Sequence, residues 1–213
     1  PVKVQSLGAG TVSINFQANR DRDNATLEYR VYRRASGNTG NGTLRHTRSV
    51  TAPFFNRPVM TWTDSGADVV PGTTYEYRVQ VTDGFNSNFA NSTWTPITVA
   101  GGAATPPYVA AVFASEPDTL LRLNEAPGAT VAADLAGWRP APLAPSSSGV
   151  TFGEAGPSGI DGTAASFNGA TGNFVRSEVH ELPPHEMSLE AWFRAAPAAN
   201  GGLIAGFNSS ITS

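Results

Sequence analysis

Val69-Val70-Pro71-Gly72-Thr73-Thr74-Tyr75-Glu76-Tyr77-Arg78-Val79-Gln80-Val81 is the stretch on which the reading of this chain turns. Tyr75, Tyr77, Val79 and Val81 alternate with Glu76, Arg78 and Gln80. A period of two puts the first set on one face of an extended strand and the second on the other. The Pro71-Gly72 pair just ahead is turn chemistry, because Pro presets φ and Gly accepts positive φ. The segment therefore predicts a tight turn feeding a strand with one face in a core and one in water.

The same alternation extends outward. Val2 and Val4 alternate with polar neighbours, as do Val12, Ile14 and Phe16 in TVSINF and Leu27, Tyr29 and Val31 in LEYRVYR. Turn-rich clusters at 8–10, 36–42, 64–66 and 83–84 separate these runs. Several short strands at this spacing, with no helical period, predict an all-β sandwich or barrel. Composition agrees. The 213 residues include 22 Gly and 16 Pro, which helix interiors tolerate poorly and strand turns use freely.

Other counts narrow the function. Hydrophobic residues make up 40% of the chain, enough for packed cores, while charged residues make up only 15%. The net charge is −3, and the arginines between 20 and 34 alternate with Asp21, Asp23 and Glu28. No one-sign basic face is present, so no nucleic-acid partner is expected. With no cysteine, disulfides, thiolate metal sites and cysteine nucleophiles are excluded. No apolar run approaches the ~20 residues of a membrane helix, so membrane insertion is not expected. Lys3 is the only lysine, and Ala and Gly are abundant, a usage that suggests a GC-rich bacterial source. The start at Pro1 reads as a piece of a longer protein.

The region 1–100 resembles a fibronectin type III domain, an immunoglobulin-like sandwich. Val70, Pro71-Gly72, Thr73 and Tyr75 match that family's corner before its sixth strand. The resemblance implies that Tyr75 buries its ring and bonds its hydroxyl back to the loop backbone, pinning the crossover between sheets. TVSINF would be the second strand, with Phe16 as a core residue where the family usually has Trp. LEYRVYRR would be the third strand, TWTDSG the approach to the corner and TWTPITV the last strand. The 36–42 loop reads as a flexible connection.

Residues 101–107, GGAATPP, form a linker of small residues ending in a proline pair. YVAAVFAS then carries apolar residues at helical spacing, predicting a short helix that ends near Pro117. Beyond it, 118–125 (DTLLRLNE), 162–177 (GTAASFNGATGNFVRS), 187–195 (MSLEAWFRA) and 201–207 (GGLIAGF) read as strands, and 139–150 as irregular surface.

The region 108–213 resembles the laminin G-like family, a jelly roll of the concanavalin A-like type. Four segments carry the resemblance, in the family's order: Leu121-Arg122-Leu123-Asn124-Glu125, Ala133-Asp134, Gly162 to Gly169, and Ser188-Leu189-Glu190-Ala191-Trp192. It implies a partial jelly roll, expected to be truncated on its C-terminal side and, alone, marginal or aggregation-prone. It also implies a weak calcium candidate in Asp134, with Asp161 weaker still. The alternative for Asp134 is a turn cap. Trp192 is expected as a structural residue, or, with Trp138, as an exposed ring for stacking on sugars.

Catalytic signals are poor. His180 and His185 lack zinc-ligand spacing, and His46 is the only other histidine. Glu190 has no second acid on its strand, and Glu178, Glu181 and Glu186 lie in a proline-rich loop, so a glycosidase pair is not expected. No Gly-x-Ser-x-Gly elbow or phosphate-cradling loop occurs. Asn24, Asn41, Asn91 and Asn208 sit in sequons, which matter only in a eukaryotic secretory source. The expectation is a non-catalytic extracellular or cell-surface module, flanked by other domains of its parent chain. Its second part would bind glycan or protein. The alternative is an accessory segment of a secreted carbohydrate-active or other enzyme.

Overall fold

The structure is a computed structural model that describes residues 2–52, 57–85, 89–102, 105–117, 119–136, 141–142, 148–157, 162–176, 188–196 and 204–206. The described chain is all-β apart from one short helix.

Two sheets build the first part. One is three-stranded, in the order β1 (Val2–Gly8), β2 (Thr11–Gln17), β5 (Val59–Ser65). The other runs β4 (Thr43–Thr51), β3 (Thr26–Ala35), β6 (Thr74–Thr82), and β6 then pairs with both β7 (Ala90–Asn91) and β8 (Thr95–Thr98). All pairings are antiparallel. Among the described residues, the inward set from the two sheets and their connections forms one core of thirteen buried apolar residues, including Val12, Ile14, Phe16, Tyr29, Val31 and Tyr77. The register makes this possible: Val31 faces Val79 across β3 and β6, and Phe16 faces Met60 across β2 and β5.

One sequence expectation fails at β2. Its alternation predicts a solvated outer face, yet Ser13 and Asn15 are as completely buried as Ile14. The cause is tertiary. The helix α1 (Pro107–Ala114) packs beside β5 with Val109 and Phe113 buried, and the chain up to Leu135 follows it across the same outer face. Small polar side chains survive there because they satisfy one another. Asn15 Nδ2 donates to Ser13 Oγ at 3.0 Å, and Thr61 Oγ1 lies 2.8 Å from Asn15 Oδ1 and 3.2 Å from the Pro117 carbonyl. Gln5 donates to the Leu135 carbonyl.

The helix forms as its sequence predicts. Prolines occupy its start, where a missing N–H costs nothing. Glu116 adopts φ 54° and Pro117 follows, so the helix cannot continue.

The second part is less regular. β9 (Val131–Ala132) pairs with β10 (Ala141–Pro142), and β11 (Val150–Ala155) pairs with β12 (Thr163–Phe167). β12 lies where GTAASF predicts a strand, whereas β11 is additional. Of the strand expected over 118–125, the described residues 119–125 form only one bridge, Leu121 with Asp134, because Leu123 at φ 55° breaks the extended path. Residues 188–196 form no strand and are exposed throughout. Trp192 is therefore not a core residue here; 65% exposed, it has no opposing layer among the described residues.

Candidate functional site

Tyr75 and the partly buried ion cluster beside it, with Asp64 at its buried end, fix the crossover from β5 to β6. The Tyr75 hydroxyl donates to the Asp68 carbonyl at 2.9 Å and accepts the Val70 N–H at 3.2 Å. The Arg33 guanidinium covers its ring at 4.8 Å. Arg33 bonds Asp64 at 2.8 Å and also pairs with Asp68. Arg45 reaches Asp64 at 3.1 Å and Asp68 at 3.0 Å. Tyr77 donates to Asp64 Oδ2 at 3.0 Å, and burial next to that carboxylate pushes its phenol well above the ordinary range. The hydrogen bond from Arg33 holds the Asp68 carboxyl below its usual range. Each charge faces an opposite one in a closed cluster, an arrangement suited to locking the corner.

Next to the Arg45–Asp64 pair, His46 of β4 stacks on Trp62 of β5, with centroids 5.0 Å apart and planes 8° apart. Burial lowers the His46 pKa, Arg48 lowers it further, and Glu116 opposes them. Arg48 itself pairs with Glu116 just after α1. His46 is thus a seam residue between the two sheets.

The outer face of the larger sheet carries a cation–π ladder. Arg78 lies between Tyr32 (5.4 Å) and Trp94 (4.7 Å), and Arg34 covers Trp94 at 4.1 Å. Glu76 pairs with Arg34 at 2.6 Å. Arg34 also holds the Gly40 carbonyl at 3.1 Å, which tethers the 36–42 loop that the sequence reads as flexible.

At the loop end, an open groove of about 380 Å³ lies between the β2–β3 connection and the end of β6. Asn19, Arg20 and Asp21 line one wall, Asp83 and Phe89 the other, with Leu27 and Val81 also lining it. A hollow of about 220 Å³ adjoins it, sharing Asn19, Val81 and Ala90 and reaching in to Phe16 and Tyr29. Phe89 is 40% and Phe85 84% exposed. Asn19 N–H donates to Tyr29 Oη at 2.8 Å, and Asn24 Nδ2 donates to the Asp83 carbonyl at 3.0 Å, tying the two loops together. This groove is the site that sequence reasoning missed, because its walls come from segments about sixty residues apart.

The remaining candidates are dispersed. Phe16 is 3% exposed, with its ring 5.5 Å from that of Tyr29. Asp134 is 6% exposed, and its Oδ1 accepts the N–H groups of Leu120 and Ala136, both at 2.9 Å. That is turn-capping geometry, and no group of three or more potential metal ligands occurs among the described residues. Glu190 accepts the Trp192 indole N–H at 2.7 Å, and the Trp192 ring meets Tyr108 edge-on at 5.9 Å. Asn24 accepts the Thr26 N–H at 3.0 Å, Asn41 is exposed, and Asn91 lies on β7. Trp138, Asp161, Glu178, His180, Glu181, His185, Glu186 and Asn208 lie outside the described residues. Compared with known proteins, the chain matches no family model, and no curated protein aligns with it significantly.

Proposed function

We propose that the chain is a non-catalytic pair of extracellular modules, a fibronectin type III-like sandwich at 1–100 joined by 101–107 to a laminin G-like region at 108–213. In this reading the first module orients the second within a larger secreted bacterial protein, and the second binds glycan or protein. The β1-β2-β5 sheet facing the β4-β3-β6 sheet and the Tyr75 corner support the family assignment of the first module. The orienting role rests on one observation. The outer face of the smaller sheet is covered by α1 and the chain that follows, with Phe113 at 2% exposure, so the start of the second region packs against the first module.

Spin labels on Thr98→Cys and Thr151→Cys, in a chain with no native cysteine, test this. The expected distance distribution is narrow, and Phe113→Ala broadens it. A broad distribution in the otherwise unmodified chain removes the orienting role.

A further inference from the structure

We infer that the groove at the loop end of the first sandwich binds a neutral oligosaccharide. Its lining combines an amide (Asn19), a guanidinium (Arg20) and two carboxylates (Asp21, Asp83), with Asn91 in the adjoining hollow. Sugar hydroxyls both donate and accept, so a wall of mixed side-chain donors and acceptors suits them. The charges are of both signs, so the groove presents no one-sign field to attract a polyanion or a polycation.

The aromatic component is already placed. Phe89 lines the groove, and the Arg30 guanidinium holds its ring from 5.3 Å while itself paired to Glu28 at 2.6 Å. A ring oriented in advance loses little freedom when the apolar C–H face of a sugar lies against it. The walls are fixed as well, through the Asn19–Tyr29 and Asn24–Asp83 hydrogen bonds. A peptide adding as a further strand is disfavoured, because β7 offers an edge of only two residues. This goes beyond the module reading, which puts its ligand in the second region.

The test is an NMR titration of the full ¹⁵N-labelled chain with cellohexaose, xylohexaose and mannohexaose, alongside a heparin hexasaccharide and an extended hexapeptide. At least one neutral hexasaccharide is expected to shift the amides of Asn19, Asp21, Phe89 and Ala90, saturating at roughly millimolar concentration. Phe89→Ala is expected to weaken that binding by roughly five- to tenfold. Asp21→Ala provides a second variant should Phe89→Ala disturb the spectrum elsewhere. The inference is overturned if no neutral hexasaccharide moves these amides, if only heparin or the peptide does, or if both variants bind unchanged. Shifts confined to 188–196 also overturn it, while leaving the module reading standing.

Discussion

The two halves of this chain are written in the same alternating pattern but differ in what stands opposite it. TVSINF and YEYRVQV send their apolar sets into a shared core of thirteen buried residues. In the second half the buried cluster among the described residues comprises Ala132 and Phe152, with five partly buried residues around it. Leu189, Trp192 and Phe193, which alternate or adjoin in MSLEAWFRA, are 51%, 65% and 65% exposed. Alternation gives a strand two different faces, but stabilisation comes from the layer that removes the apolar face from water, at about 25 cal/mol per Å². Among the described residues no such layer faces 188–196, and the alternating pattern there forms no strand.

Five substitutions break or sharpen this contrast, and urea unfolding of the full chain, followed separately in each half, reads them. Asp64→Ala has the largest expected effect. It leaves Arg33 without its buried partner and Tyr77 without its acceptor, so the first half should lose about 3–5 kcal/mol. Ile14→Ala opens a cavity in the same core and should cost about 2–5 kcal/mol, whereas Phe152→Ala should leave the transition of the first half in place. Equal responses to the two substitutions would mean that the halves share one cooperative core.

Tyr75→Phe keeps the ring and removes both hydroxyl bonds at the corner, an expected loss of about 1–2 kcal/mol. The smallest effect belongs to His46. Its pKa is lowered in the folded chain, so the unfolded chain takes up the proton first, near pH 6.5. The stabilisation is complete above that value and declines as pH falls toward the folded pKa. The urea midpoint should therefore drop between about pH 7.5 and about pH 5.5, and His46→Gln should flatten the slope.

Much of the first half was legible residue by residue. The Pro71-Gly72 turn and the inward sets of β2, β3 and β6 follow from local spacing and turn chemistry, while the Tyr75 corner was implied by the resemblance to the fibronectin type III family. The α1 helix was equally legible, from the helical spacing of Tyr108, Val109, Val112 and Phe113 and the stop at Pro117. The 118–125 strand was not, because nothing in LRLN announces that Leu123 turns left-handed. The groove was not legible either. Asn19 and Asp83 look like ordinary loop residues until the Asn24 side chain draws their loops together.

The sequence by itself determined the strand class, the inward faces, the Pro71-Gly72 turn and the helix, all of which are local properties of side-chain period and backbone preference. Only the tertiary structure decided which outer faces stay dry. Ser13 and Asn15 read as solvated and are buried on a face crossed by the chain after α1, while Trp192, readable as either core or exposed, is 65% exposed. Burial depends on what another segment places opposite a face, and a strand's own period carries no information about that.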